Sequence, residues 1–479
     1  MCENCNRREF LGTGALASLA WAAGGSLYAE EVAAQPAQLP TMPEKVRIAA
    51  IFTGVPVPCD RSWGVCEEEI TQLQNCLKEV ETKLGNVEFV IGRANSPEET
   101  VKILQQAGDE APVLAINLCI GGLLRASKPI LDAGRPMAVY SAPASGHDWM
   151  YPFRWRQEGK PVTLLASSDR GELERAARIL RVIPLMRHSR IVAFVPLQGT
   201  APACQPEKIK ERLGPTVIIV PQKRFDDLLE SVDMSKAKAE AETWIRNAKK
   251  IIEPTEEDVL KAARVSLALD KLMEEEKAQA LAVGTCMGWL QRGFPCLGFT
   301  RLRDRGIPAS CEGDMDSLLT MMLFWYMANI PGFQGNATFD TAKNALWTAH
   351  CVGPLKMDGP HGEPAPYLLR SHSEIGGGVV PEIQYRIGQK ITRTKLVNLD
   401  TLLISTGTIR EVPEKSVRAC RTQIVTEIAD AVKMVRNWGG GVVEGNMMTL
   451  LHRVVFYGDH MQNARHLTDL MQMRLVEEG

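Results

Sequence analysis

Val46-Arg47-Ile48-Ala49-Ala50-Ile51-Phe52, running into Thr53-Gly54, is the stretch on which the fold turns. A short apolar run, β-branched in part and closed by a glycine turn, reads as a buried strand. The same character recurs at Val87–Ile91, Val113–Leu118 and Met137–Tyr140. Helical patterns fill the gaps, at Glu67–Lys83 and at Pro97–Ala107, where Ser96, Pro97 and Glu98-Glu99 make a helix start. Strands alternating with helices predict a parallel sheet covered on both faces. Asn117-Leu118-Cys119-Ile120-Gly121-Gly122 closes one strand on a glycine turn, and the carboxyl ends of such strands often form ligand crevices. Neither a GxGxxG fingerprint nor a Walker loop is present, so nucleotide binding has no support.

A second block of the same kind starts near Arg190, with strands at Ile191–Val195, Val217–Val220 and Ala280–Gly284 and a long charged helix at Glu256–Lys277. The charge-rich stretch Glu230–Lys250 reads as a solvated helix face. Beyond about residue 300 the pattern changes. Met315 to about Asn329 is apolar on nearly every side, as in a helix buried on most faces. Val379–Arg386, Lys390–Asn398 and Leu402–Thr408 are extended segments separated by turns, which predicts antiparallel pairing in a small barrel. The expected fold is therefore α/β: two parallel-sheet, Rossmann- or flavodoxin-like domains at 45–189 and 190–300, then a β-rich, barrel-like domain at 301–479.

Composition narrows the function classes. At about 150 residues per domain, 479 residues allow roughly three domains. A net charge of −2 and ordinary hydrophobic content (45%) exclude the basic bias of a nucleic-acid protein. After the first thirty residues no apolar run is long enough to span a bilayer. Twelve cysteines at irregular spacing are too few for a disulfide scaffold at this length. They show no paired clusters of the structural-zinc type. Cys59 and Cys66 could pair in an oxidising compartment.

Asn6-Arg7-Arg8-Glu9-Phe10-Leu11-Gly12 resembles the twin-arginine export signal. An apolar stretch from Leu11 to Leu27 and small residues near Ala29 or Ala33-Ala34 complete the pattern. Residues 1–44 are thus expected to be a signal peptide and linker, and the protein to be periplasmic or otherwise extracytoplasmic; the alternative is cytoplasmic.

Six of the eight histidines fall after residue 349: His350, His361, His372, His452, His460 and His466. Gly306-Ile307-Pro308-Ala309-Ser310-Cys311-Glu312-Gly313-Asp314 leads directly into the apolar helix. A carboxylate at Glu312 gains from the helix dipole and the free N–H groups there. On its own it reads first as a helix cap, a role open equally to Asp314 and Asp316.

The segment from Gly306 to Asn336 resembles the metal-site segment of the L-fucose isomerase family: a Glu just before an apolar helix containing Leu-Thr-Met, here Glu312 and Leu319-Thr320-Met321. In that family an Asp follows 24 residues later, a position held here by Asn336. Ala349-His350-Cys351 resembles the His-Cys turn of related sugar isomerases, and His350 stands about where arabinose isomerases place a ligand His. Leu451-His452-Arg453-Val454-Val455-Phe456-Tyr457-Gly458-Asp459 resembles the last family signature and makes His452 the matching ligand, although Leu450 and Leu451 replace the Asn or His common before it. The likeness is strongest over about 300–460.

What the resemblance implies is aldose–ketose isomerisation of a monosaccharide through an enediol on a divalent metal, usually Mn²⁺. Its metal residues would be Glu312, Asn336, His350 and His452. Metal-bound carboxylates act there as acid and base, and oxygen ligands with imidazole suit Mn²⁺. Asn336 can offer an amide oxygen but cannot take a proton, so Asp340, four residues on, is the expected substitute base if the loop shifts, beside Glu312. Arg61 and Trp63, after the first strand, and His372 and Glu374, before Gly376-Gly377-Gly378, are the candidate sugar-binding residues. The family builds its pocket between subunits, which implies a homo-oligomer. Two other readings stay open: a catalytically impaired or repurposed sugar-binding protein, and a metal-dependent lyase or epimerase using one base.

Overall fold

The computed structural model describes residues 42–413, 418–438 and 450–479. The export signal and nearly all of the linker expected at 1–44 lie outside them. β1 (Val46–Thr53) leaves only Arg47 exposed. It pairs in parallel with β2 (Val87–Ala94) on one side and β3 (Val113–Asn117) on the other, with Ile48 opposite Phe89 and Ala50 opposite Leu114. β4 (Met137–Ser141) and β5 (Val162–Ala166) complete a five-stranded parallel sheet in the order β2-β1-β3-β4-β5. Strand order reverses between β1 and β3, where a crevice opens in such sheets. Gly54 permits it: a Cβ there would meet Cys119 Sγ at 2.8 Å and Gly122 Cα at 3.0 Å, and its φ is +98°. Cys59 and Cys66 in the following loop are joined as a disulfide, with Cα atoms 5.0 Å apart.

The second sheet uses β6 (Arg190–Phe194), β7 (Thr216–Ile219), β9 (Ala280–Val283) and β10 (Ala309–Cys311), again all parallel and in the order β7-β6-β9-β10. β8 (Lys250–Ile251) belongs to a small separate sheet with β13 (Tyr367–Arg370) and β14 (Val380–Ile383). Two expectations are corrected here. The second sheet reaches past residue 300, because β10 is a three-residue edge strand too short to show a pattern. The extended segment 379–386 contributes to the small sheet and not to the barrel.

The barrel itself is antiparallel and six-stranded. β15 (Lys390–Val397), β18 (His452–Tyr457), β11 (Phe333–Asp340), β12 (Ala345–His350), β17 (Thr422–Glu427) and β16 (Thr401–Glu411) pair in turn, and β16 closes back on β15. β19 (Arg474–Glu477) adds to β16 in parallel. Between barrel and sheets lies the helix Met315–Ala328, of which only Trp325 and Ala328 escape burial. Its N-cap is Asp314, whose carboxylate accepts the Ser317 N–H at 2.9 Å. Its apolar side chains share one core with β1, β6, β9, β15, β16 and β18, and Phe324 stacks on Phe456 at 4.3 Å. Each fully buried Leu, Met or Phe there contributes roughly 1.5–3 kcal/mol.

The helix Met461–Met471 docks the barrel region onto β5, where Thr163 Oγ1 and His466 Nδ1 are 2.8 Å apart. Burial lowers the His466 pKa from 6.5 to about 4. A neutral histidine in the fold stabilises it fully above pH 6.5, and that contribution is lost as pH falls from 6.5 through about 4. His466→Gln keeps a partner for Thr163 and removes the titration. It is expected to shrink the acid-induced loss of stability across that window by roughly 1–3 kcal/mol. Urea midpoints taken between those two pH values check it; identical slopes in both proteins would refute it.

Candidate metal centre

β10 ends where Glu312 and Gly313 both take positive φ, 59° and 65°. For a glutamate this left-handed backbone is uncommon and held by its surroundings. Gly313 N–H donates to Val283 O at 3.0 Å, Glu312 N–H donates to Cys286 Sγ at 3.3 Å, and a Cβ on Gly313 would lie 2.5 Å from Pro196 O. The turn is therefore fixed, and it carries the Glu312 carboxylate towards two barrel histidines. His350 ends β12 and His452 begins β18. Glu312 Oε1 lies 3.8 Å from His350 Nε2, Glu312 Oε2 lies 3.6 Å from His452 Nε2, and the two rings are 5.2 Å apart. The Glu312 side chain is 44% exposed while both histidines are buried, so the group opens to solvent on the carboxylate side.

His452 is oriented from behind. Its Nδ1 lies 3.0 Å from Asp314 Oδ2, which also receives Lys395 Nζ at 2.7 Å. A carboxylate can only accept, so Nδ1 carries the proton and Nε2 is left with its lone pair facing Glu312. Gln334 stands 3.2 Å from the same Nδ1 and is held by Arg303 and the Cys311 backbone. Burial works to raise the Asp314 carboxyl, but Lys395 and His452 outweigh it and hold it below its ordinary value. Burial raises the Glu312 carboxyl above its ordinary value, against the pull of His452. It pushes His350 well below 6.5 and so keeps that imidazole neutral. Asp316 faces away, accepting the Thr200 N–H and hydroxyl, and burial lifts it to about 7.

Asn336 stands opposite His452 in the β11–β18 pairing and opposite Ala349 in the β11–β12 pairing. Directly opposed residues share a face, with Cβ atoms about 4.5–5.5 Å apart. Asp340 is elsewhere, and the role expected of it is corrected. β11 continues without a shifted loop, so Asp340 lies four residues further on, roughly 13 Å away. There its carboxylate accepts the Lys343 N–H of the hairpin turn at 3.2 Å.

His372 is buried against Phe294, rings 4.9 Å apart, and acts electrostatically on His350; Glu374, exposed, acts on Glu312. Both candidate sugar residues therefore lie within electrostatic reach of the group. Arg61 and Trp63 sit on the loop after β1, where Trp63 packs against His147 at 4.7 Å. No hydrogen bond, ion pair or ring contact among the described residues joins them to Glu312.

Lys395, Gln334 and Arg303 did not stand out in the sequence. Lys395 shares the strand Lys390–Val397 with two further cations, Lys390 and Arg393, so its charge alone did not single it out. No protein-family model matches the chain, and a search of curated proteins finds no match.

Proposed function

We propose that this chain is a metal-dependent aldose–ketose isomerase-like protein of the L-fucose/L-arabinose isomerase type, acting on a monosaccharide and exported by the twin-arginine route. The observation that carries this is the convergence of Glu312, His350 and His452 on one solvent-facing point, with ligand atoms mutually within 4.8 Å. The residues fit a divalent ion such as Mn²⁺. His350 Nε2 is buried without a hydrogen-bond partner, and His452 is backed by a carboxylate as ligand histidines are. When bound, the ion supplies Lewis acidity to sugar hydroxyl and carbonyl oxygens.

The chain's own groups account for the rest. Glu312, its carboxyl raised above the ordinary carboxylate value by burial, is suited to take a proton from one sugar carbon and return it to the next. Asp314 and Lys395 keep His452 in one tautomer and one orientation. His372 and Glu374, within electrostatic reach of the group, are the side chains that would meet sugar hydroxyls. Asn336, opposite His452, can orient a hydroxyl but holds no exchangeable proton of the needed acidity. That residue favours the second reading, a sugar-binding protein of the same architecture with little turnover. Exposed Trp63 and Ile120 on the loops after β1 and β3, and Trp149, Met150 and Phe153 on the helical segment after β4, support a homo-oligomer in which this face is covered by a second copy.

Elemental analysis of the purified chain after supply of Mn²⁺ tests the reading. The wild type is expected to hold about one ion per chain, and a Glu312→Ala, His452→Ala double variant none. A folded wild type that stays free of Mn²⁺ would sink the proposal.

A further inference from the structure

Four cysteines spread over 66 residues of sequence meet beside Glu312: Cys286 after β9, Cys296 at the head of the helix Cys296–Asp304, Cys311 ending β10 and Cys351 following β12. All are at most 3% exposed. Cys286 Sγ is 3.4 Å from Cys311 Sγ, and the Cys351 and Cys296 thiols are electrostatic neighbours of this pair. His350 Nδ1 lies 3.5 Å from Cys351 Sγ. The thiols of Cys311 and Cys351 and a ring nitrogen of His350 lie mutually within 4.8 Å. The linear spacing hid this group, because its members come from two sheets.

Buried thiols alone would be an apolar packing feature. Arg303 says otherwise. It is 1% exposed, donates Nε to Ala309 O at 2.8 Å and Nη2 to Gln334 Oε1 at 3.3 Å, and leaves Nη1 with no hydrogen-bond partner. It makes no ion pair among the described residues, and Cys311, Cys351 and Cys296 are among its electrostatic neighbours. A guanidinium buried without a counter-anion is strongly unfavourable, and thiolates are the groups at hand to supply one.

We infer that Cys286, Cys311, Cys351 and Nδ1 of His350 form a tetrahedral zinc site. Zinc–sulfur and zinc–nitrogen bonds of about 2.3 and 2.0 Å put sulfurs about 3.8 Å apart and sulfur about 3.5 Å from nitrogen. The observed 3.4 and 3.5 Å spacings are close to these; Cys311, Cys351 and His350 already stand together, while Cys286, beside Cys311 but outside that group, has to swing inward to complete the tetrahedron. Charge closes as well: one dication and one guanidinium balance three thiolates, and the three thiol protons leave on binding. Cys296 stays protonated and donates to the Cys351 sulfur. The site is soft where the Glu312 group is hard, and it does not rest on the isomerase reading. The two groups share His350, and since a neutral imidazole offers one lone pair, holding both ions at once requires it as an imidazolate bridge whose remaining proton also leaves to solvent. Zinc would also brace Glu312 from both sides, through Cys311 before it and through Cys286, whose sulfur accepts the Glu312 N–H.

The test titrates cobalt(II) into the full chain, purified reduced and stripped with chelator. The expected result is about one equivalent bound with sulfur-to-cobalt charge-transfer absorption, displaced by zinc. Glu312→Gln and His452→Asn are expected to keep that absorption, and Cys311→Ser with Cys351→Ser to abolish it. Circular dichroism shows whether the cysteine variant has folded; if it has not, the wild-type spectrum decides. A folded wild type with no charge-transfer absorption overturns the site, as does absorption that survives loss of both cysteines. Failure of the isomerase reading would appear separately, as lack of Mn²⁺ binding.

Discussion

Replacing Lys395 by methionine is expected to destabilise the fold by about 3–5 kcal/mol, the usual effect of removing one partner from a buried ion pair. Lys395 and Asp314 are 0% and 1% exposed, with Nζ and Oδ2 2.7 Å apart. Methionine conserves most of the volume, so the effect isolates charge from packing. Asp314 then keeps its duties towards Ser317 and His452 without its cation, and its pKa rises. The sign follows. In the wild type a depressed carboxyl adds stability above its ordinary 3.8 and loses it as pH falls below that value. The variant lacks this term, so its deficit is greatest near neutrality and narrows on acidification. Urea unfolding followed by circular dichroism measures both. Lys395→Met combined with Asp314→Asn is expected to recover part of the loss. A single-variant deficit below about 1 kcal/mol, the range of an exposed pair, would show that the two charges are solvated.

Asn336→Asp is expected to raise aldose-to-ketose turnover by about 10²–10⁴ in the presence of Mn²⁺, the range general acid–base help spans. The change adds one carboxylate opposite His452 without altering shape. It supplies a second proton carrier and a charged ligand atom together, so Mn²⁺ affinity should rise too. Ketose formation and exchange of the sugar's C2 proton with solvent deuterium follow the two consequences independently. Asp340 cannot mask the result, since the hairpin turn occupies it. A variant that binds Mn²⁺ more tightly yet exchanges no proton would mean that the missing element is not a base, and the sugar-binding reading would gain.

The buried parallel strands were readable because they are apolar over nearly their whole length, as β1 and β3 are, and the helix Met315–Ala328 because almost nothing in it is polar. β10 was hidden by its length. β11 was hidden by Gly335 and Asn336, residues that ordinarily punctuate strands and here face close neighbours. Helix Gly122–Asp132 carries Pro129 inside it, which argues against a helix locally. At the site, Glu312 and His452 were legible from their flanks. Lys395 was not, because nothing local distinguishes an inward lysine on a barrel strand from an outward one. The thiols were illegible for a related reason: their proximity is made by two sheets meeting, and no spacing along the chain encodes that.

One consequence follows from the barrel order. β18, the second-last strand in sequence, is inserted between β15 and β11. During synthesis the two parallel sheets and Glu312 emerge well before it. At about 5–20 residues per second, roughly 6–24 s separate the appearance of Asn336 from that of Tyr457. Through that interval β11 waits on the ribosome with one edge unpaired and the apolar helix lacks part of its cover. It is the stage at which a nascent chain most needs shielding from its neighbours. His452 arrives with that strand, so translation itself orders the events: the Glu312, His350 and His452 group is assembled only as the barrel closes.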